Sequence, residues 1–173
     1  TKIAHLLYKF SFKYPEDIWF LNEDDRQTFL NNRLVATDKA VLLHGEGVDL
    51  SHFTPQKKSR SDQAVCFLLI ARMLWDKGIG EFVAAARIVK KQYPQATFQL
   101  LGGCGVANPS AIERTQIAVW EKEGVITYLG TTEDVRPIIA DADCVVLPSF
   151  YSEGVPRTLM EAASMEKPII TTD

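Results

Sequence analysis

L-P-S-F-Y-S-E-G-V-P-R-T-L-M-E-A-A-S-M-E-K-P-I-I-T-T-D, residues Leu147 to Asp173, decides the fold. It reads as a buried strand, a tight loop, a helix and a second buried strand. The apolar run from Cys144 to Leu147 stops at Pro148 and Ser149. Gly154 has no Cβ, so the backbone there can turn sharply or come close to a ligand. Pro156 suits the first position of a helix, with φ preset and no N–H to leave unpaired. Val155, Leu159, Ala162 and Ala163 recur at helical spacing and define an inward face. Lys167 and Pro168 end the helix, and P-I-I-T-T opens the next strand.

Two carboxylates sit on this frame. Glu153 stands just before the helix and Glu161 about two turns along it. The start of a helix offers unpaired N–H groups and a partial positive charge, which suit a phosphate. A nucleotide could meet that helix start while Glu161 accepts hydrogen bonds from a sugar diol. In the plainer alternative, Glu153 only complements the helix dipole and Glu161 is a solvated surface residue.

Upstream, the pattern alternates between strand and helix. Val65 to Ala71 is a continuous apolar run, as in a strand buried on both faces. Ile79, Phe82, Val83, Ala86 and Val89 mark an amphipathic helix ending near Tyr93-Pro94. Thr97 to Leu101 predicts a strand, residues 110 to 123 a helix, Ile126 to Leu129 a strand and Val135 to Ala140 a short helix. Five apolar strands separated by helices imply a doubly wound parallel α/β sheet of Rossmann type. Ligands of such sheets bind beyond the carboxyl ends of the strands, where strand order reverses.

Residues 1 to 63 differ in texture. Ile3, Leu6, Leu7 and Phe10 suggest a helix, Asp17 to Leu21 a strand, and N-E-D-D a helix start through Phe29 and Leu30. Val41 to Leu43 suggests a strand, and residues 55 to 63 a solvated linker. The expected division is 1–39 as the tail of a preceding domain, 40–63 as an interdomain segment and linker, and 64–173 as the sheet domain. Beginning at Thr1 rather than Met, the chain reads as a piece of a longer protein.

Composition excludes several classes. With 19 basic and 22 acidic residues the net charge is −3. That total gives neither a nucleic-acid footprint nor a polybasic membrane patch. The longest apolar run, Ala64 to Ala71, is far too short to cross a bilayer. Cys66, Cys104 and Cys144 lack metal or disulfide spacing and read as free thiols in a reducing compartment. The three histidines form no ligand-spaced cluster, and no metal is expected.

The predicted strand ends carry distinctive residues. After the first comes A-R-M-L-W-D-K-G, where Arg72 and Lys77 could together neutralise a diphosphate, or simply hang in solvent. Gly102-Gly103-Cys104-Gly105 follows the second. It lacks the third glycine and the position of a dinucleotide fingerprint, which argues against a nicotinamide-dependent dehydrogenase. Gly130, Thr131 and Glu133 follow the third strand and could face a nucleotide base.

Together these residues resemble the glycosyltransferases of the GT-B fold, specifically the retaining family four, also called group one. The resemblance rests on R-x-x-x-x-K-G (Arg72, Lys77, Gly78), L-G-G, L-G, and above all E-G-V-P-R-T-L-M-E-A followed by K-P-I-I-T-T-D. G-E-G-V-D with Phe53 and Pro55 is similar to the segment joining the family's two domains. The resemblance implies that a nucleotide diphosphate sugar is the donor and a glycan or lipid-linked molecule the acceptor. Arg72, Lys77 and the N–H groups of Gly154 and Val155 would hold the diphosphate, Glu161 the ribose, and Glu153 the transferred sugar. It implies no metal or other cofactor and a cytoplasmic setting, with a peripheral position at the inner membrane face left open. With most of the acceptor domain and the family's last strand and helix outside the chain, the fragment alone is expected to be inactive. The alternatives are a nucleotide-sugar epimerase of the same fold and a non-catalytic nucleotide-sugar-binding module. A glycoside hydrolase is set aside, because its two carboxylates must face each other across a sugar.

Overall fold

In the computed structural model, residues 2–59, 64–150 and 154–172 are described. The chain forms two compact units, Thr1–Gly47 with Ser152–Arg157, and Val48–Tyr151 with Thr158–Asp173.

The first unit is small. Helix α1 (Lys2–Ser11) precedes strand β1 (Ile18–Phe20), helix α2 (Glu23–Asn31) and strand β2 (Ala40–Leu42). β1 and β2 pair in parallel, with Ile18 opposite Ala40 and Phe20 opposite Leu42. As the acidic run suggested, α2 starts at a capped end: the Asn22 side chain accepts the Asp25 N–H at 2.7 Å. Ile18, Phe20, Val35 and Ala40 form its core. Phe29 joins the layers, its ring 5.0 Å from Tyr8 and 5.3 Å from Phe20.

The second unit holds the expected doubly wound sheet. Its strands are β3 (Cys66–Ile70), β4 (Thr97–Leu101), β5 (Thr127–Tyr128), β6 (Cys144–Leu147) and β7 (Ile169–Thr171). They run in parallel in the order β5-β4-β3-β6-β7. The chain walks outward from β3 to β5, then returns to place β6 on the other side of β3. Strand order therefore reverses between β3 and β6. Leu68, Leu69, Leu100 and Val145 are wholly or almost wholly buried, as the unbroken apolar runs required. Helix α3 (Ile79–Gln92) packs through Ile79, Phe82, Val83 and Ala86. Cys66 and Cys144 are buried and Cys104 half-buried, all three as free thiols.

Several boundaries differ from the sequence reading for local reasons. Helix α4 (Arg114–Lys122) starts four residues late. The residues before it bond to the loop after β3 instead: Trp75 N–H donates to the Ser110 carbonyl, and Ile112 N–H to the Met73 carbonyl. Helix α5 (Arg136–Asp141) starts and ends one residue later than expected, and strand β5 is one residue shorter at each end. The segment 55–59 is exposed, but it is not a purely solvated linker. Lys58 pairs with Asp143, and the Ser59 N–H donates to Asp141 at 2.6 Å. Upstream of it, the buried Phe53 offers its carbonyl to the Ser164 hydroxyl at 2.5 Å.

Helix α6 (Arg157–Ser164) follows β6. Pro156 precedes its first residue rather than being that residue. Leu159 and Ala162 face inward as expected, whereas Val155 and Ala163 are exposed. The helix ends before Lys167, in a left-handed turn. Glu166 has φ 58°; its N–H donates to the Ala163 carbonyl and that of Lys167 to the Ala162 carbonyl. These are the two hydrogen bonds of a Schellman motif, whose left-handed position favours glycine. Lys167 continues beneath α5, its ammonium donating to the Ala140 and Ala142 carbonyls at 2.6 and 2.9 Å. Burial and the nearby Lys58 charge lower its pKa from the ordinary lysine value. Glu166→Gly should stabilise the fold by about 0.5–1 kcal/mol by relieving the left-handed strain. The check is urea unfolding, with a raised midpoint at unchanged slope; a lowered midpoint would contradict it.

Candidate functional site

Ligands of a doubly wound sheet gather where strand order reverses, here at the carboxyl ends of β3 and β6. The loop after β3 runs from Ala71 to Gly78 and closes in a 3-10 turn, Trp75–Lys77. Arg72 is exposed and makes no ion pair among the described residues. Lys77 is half-buried and sits at the end of the 3-10 turn. Gly78, which caps α3, has φ 72°. A Cβ on it would lie 2.1 Å from the Pro148 carbonyl oxygen, so only glycine fits.

This contact joins the loops after β3 and β6. The Asp76 carbonyl accepts the Phe150 N–H at 3.1 Å and the Ser149 hydroxyl at 3.2 Å. Asp76 and Ser149 were not singled out in the sequence. A proline-serine pair closing a buried strand was visible there, but nothing showed which carbonyl it would meet.

The loop after β4 is tied in on the other side. Gly102 has φ 142°, and a Cβ there would lie 1.9 Å from the Ala71 carbonyl oxygen. Met73 N–H donates to the Gly103 carbonyl at 2.8 Å, and Gly102 N–H to the Gly130 carbonyl at 2.7 Å. Thr131 approaches the Cβ position of Gly103 at 3.9 Å. Gly130 and Thr131 are thus brought beside the glycine loop, with Glu133 exposed in the same segment.

Tyr128 closes the corner, its hydroxyl donating to the Gly102 carbonyl at 2.7 Å. Burial and the Cys104 thiol push its pKa up to about 12. Asp134 accepts the Arg136 N–H at 3.0 Å and pairs with its guanidinium at 2.8 Å. The Arg136 side chain and N–H together hold the Asp134 pKa at about 2. A depressed carboxyl stabilises the fold above its unfolded pKa, and that contribution fades as pH falls from about 4 towards about 2.

Glu161, on α6, is 7% exposed; with Ser149 it makes up the buried polar residues among those described. It is therefore not the solvated helix residue of the plainer alternative. A carboxylate is rarely kept out of water, because burial disfavours its charge strongly. Gly154 and Val155 group with the first unit. There a Cβ on Gly154 would lie 2.5 Å from the Leu21 carbonyl oxygen, while Val155 is exposed. Among the described residues neither N–H donates to a backbone carbonyl. Glu153 lies outside the described residues. No group of His, Cys, Asp and Glu among the described residues has the geometry to hold a metal.

Residues 64–173 match the family model "Glycosyl transferases group 1". A relative from Campylobacter jejuni, N,N'-diacetylbacillosaminyl-diphospho-undecaprenol alpha-1,3-N-acetylgalactosaminyltransferase, is 32% identical over 182 residues, covering 99% of this chain and 46% of its own length. The putative colanic acid biosynthesis glycosyltransferase WcaL of Escherichia coli K12 is 28% identical over 139 residues, covering 76% of this chain and 34% of its own. Among solved structures, Anabaena HepE in complex with UDP-glucose superposes with a TM-score of 0.74 at 18% identity, covering 98% of this chain and 47% of that one. The chain thus spans less than half the length of these proteins, and the fold is that of the GT-B structures.

Gly78→Ala should lower the stability of the second unit by about 2–4 kcal/mol through a left-handed alanine and its clash with the Pro148 carbonyl. Urea unfolding measures the loss, and a change within about 0.5 kcal/mol would show that the loops are not locked together there.

Proposed function

From the premise that this chain belongs to the group 1 glycosyl transferases, we propose that its second unit binds the nucleotide diphosphate of an activated sugar. The buried carboxylate of Glu161 carries this reading. A carboxyl group shielded from bulk water on the helix that follows β6 is suited to accept hydrogen bonds from a ribose diol. It is not explained by solubility. Arg72 and Lys77, on the loop at the strand-order reversal, supply positive charge for the diphosphate. The guanidinium gives a forked contact and the ammonium a point charge.

By the family resemblance, the N–H groups of Gly154 and Val155 complete the diphosphate contacts. Glu153 faces the transferred sugar and stabilises charge developing at its anomeric carbon. Gly130, Thr131 and Glu133 take the base side. Stabilising the departing diphosphate with fixed cations and backbone N–H groups needs no metal. The transfer proceeds with retention at the anomeric carbon, in the cytoplasm. HepE was solved with UDP-glucose bound, which supports a nucleotide-sugar donor. The name of the Campylobacter relative specifies a diphospho-undecaprenol-linked sugar, which supports a lipid-linked or glycan acceptor. Residues 1–39 are the tail of the domain that contributes the acceptor contacts, so the fragment alone binds donor without transferring sugar.

Calorimetric titration with UDP, GDP and ADP tests this. One nucleoside diphosphate should bind in the micromolar-to-millimolar range without added metal, and Glu161→Ala should weaken it by about 1–3 kcal/mol. An affinity unchanged by the substitution would remove Glu161 from the site.

A further inference from the structure

Helix α4 fixes Tyr128 through two of its residues. The Arg114 guanidinium lies 4.9 Å from the centre of the Tyr128 ring. Glu121 accepts the Tyr128 N–H at 3.2 Å and pairs with Arg114 at 2.7 Å. So placed, the half-buried ring turns its hydroxyl onto the Gly102 carbonyl. Packing does not need that hydroxyl. A phenylalanine would fill the same space and keep the guanidinium over its face. What the oxygen adds is the hydrogen bond, and with a pKa of about 12 it stays a donor through the neutral range.

That bond decides the orientation of one peptide. Gly102 and Gly103 flank it, and two glycines let a peptide plane turn over at little cost. No side chain can stiffen Gly102, since a Cβ there would meet the Ala71 carbonyl oxygen. The peptide is trans, so its carbonyl and N–H point in opposite directions. With the Gly102 carbonyl held on Tyr128, the Gly103 N–H is directed away from the ring. Among the described residues it donates to no backbone carbonyl. Gly103 is also uncrowded, because among those residues a Cβ on it would meet only the Thr131 methyl, at 3.9 Å.

Gly103 stands between the two ends of the donor site. On one side its carbonyl accepts the N–H of Met73, the neighbour of Arg72. On the other it faces Thr131. A nucleotide reaching from the diphosphate cations to the base-side segment passes this N–H. We propose, on the donor-site reading given above, that the Tyr128 hydroxyl locks the Gly102–Gly103 peptide so that the Gly103 N–H donates to an oxygen of the bound nucleoside. Tyr128 is then a positioning residue that touches no ligand itself. Arg114 and Glu121 act one step further back, by holding Tyr128. A donor fixed in direction before the ligand arrives costs little ordering on binding.

Calorimetry and amide NMR test this, with whichever of UDP, GDP and ADP binds the wild type most tightly. Saturating nucleotide should move the wild-type Gly103 amide proton downfield, as a new acceptor does. Tyr128→Phe should remove that shift and weaken the nucleotide roughly three- to tenfold, the worth of one hydrogen bond. Tyr93→Phe, which takes a hydroxyl from an exposed tyrosine elsewhere on the second unit, should change neither. Circular dichroism confirms that each variant is folded. A purely structural Tyr128 would lower the urea midpoint in Tyr128→Phe while leaving the Gly103 shift of the bound state intact. That pattern would overturn the proposal, as would a wild-type Gly103 amide unmoved by a nucleotide that binds. Absence of binding by all three nucleotides would instead overturn the donor-site reading, and the positioning role with it.

Discussion

The close approach of Gly78 to the Pro148 carbonyl fixes how the site is built. It brings the loop after β3 and the loop after β6 together where strand order reverses. Two further hydrogen bonds, from Phe150 N–H and the Ser149 hydroxyl to the Asp76 carbonyl, hold them there. Backbone groups buried at a strand end must find partners, and here each loop supplies the other's. Gly102 repeats the device one strand over, against the Ala71 carbonyl. The result is a row of cross-tied turns along the carboxyl edge of the sheet. Arg72 and Lys77 are carried on a loop whose backbone is tied on both sides, so the entropy of ordering that backbone is met in folding rather than in binding.

Against this fixed edge, Glu161 is the buried acid. The apolar face of α6, through Leu159 and Ala162, would bury the helix without any acid. A carboxylate at 7% exposure lowers the return from that burial unless hydrogen-bond donors surround it. The first unit follows a different logic. Its core is four residues around a two-stranded sheet, a size that is marginal alone.

The fold was legible because its signals are local. Unbroken apolar runs identified the buried parallel strands, and the 3.6-residue spacing of Ile79, Phe82, Val83 and Ala86 identified α3. What sequence could not carry was tertiary competition for backbone hydrogen bonds. Residues 110 to 113 look helical but bond to the loop after β3, so α4 begins late. Glu166 adopts a left-handed turn that no glycine announced. Of the proposed site, Arg72 and Lys77 were picked out by their place after a strand, and Gly78 by the R-x-x-x-x-K-G resemblance. The burial of Glu161 was not readable, since a helical glutamate looks the same in sequence whether solvated or enclosed. Asp76 acts through its carbonyl, which leaves no mark in the choice of residue.

Hydrogen–deuterium exchange with and without saturating UDP, GDP or ADP tests most directly whether the edge between β3 and β6 is a nucleotide site. The account predicts slowed exchange in the peptides spanning residues 72–78 and in the one carrying Glu161, with the remainder of the sheet unchanged. Slowed exchange confined to other segments, or none at saturating concentrations of all three nucleotides, would contradict it.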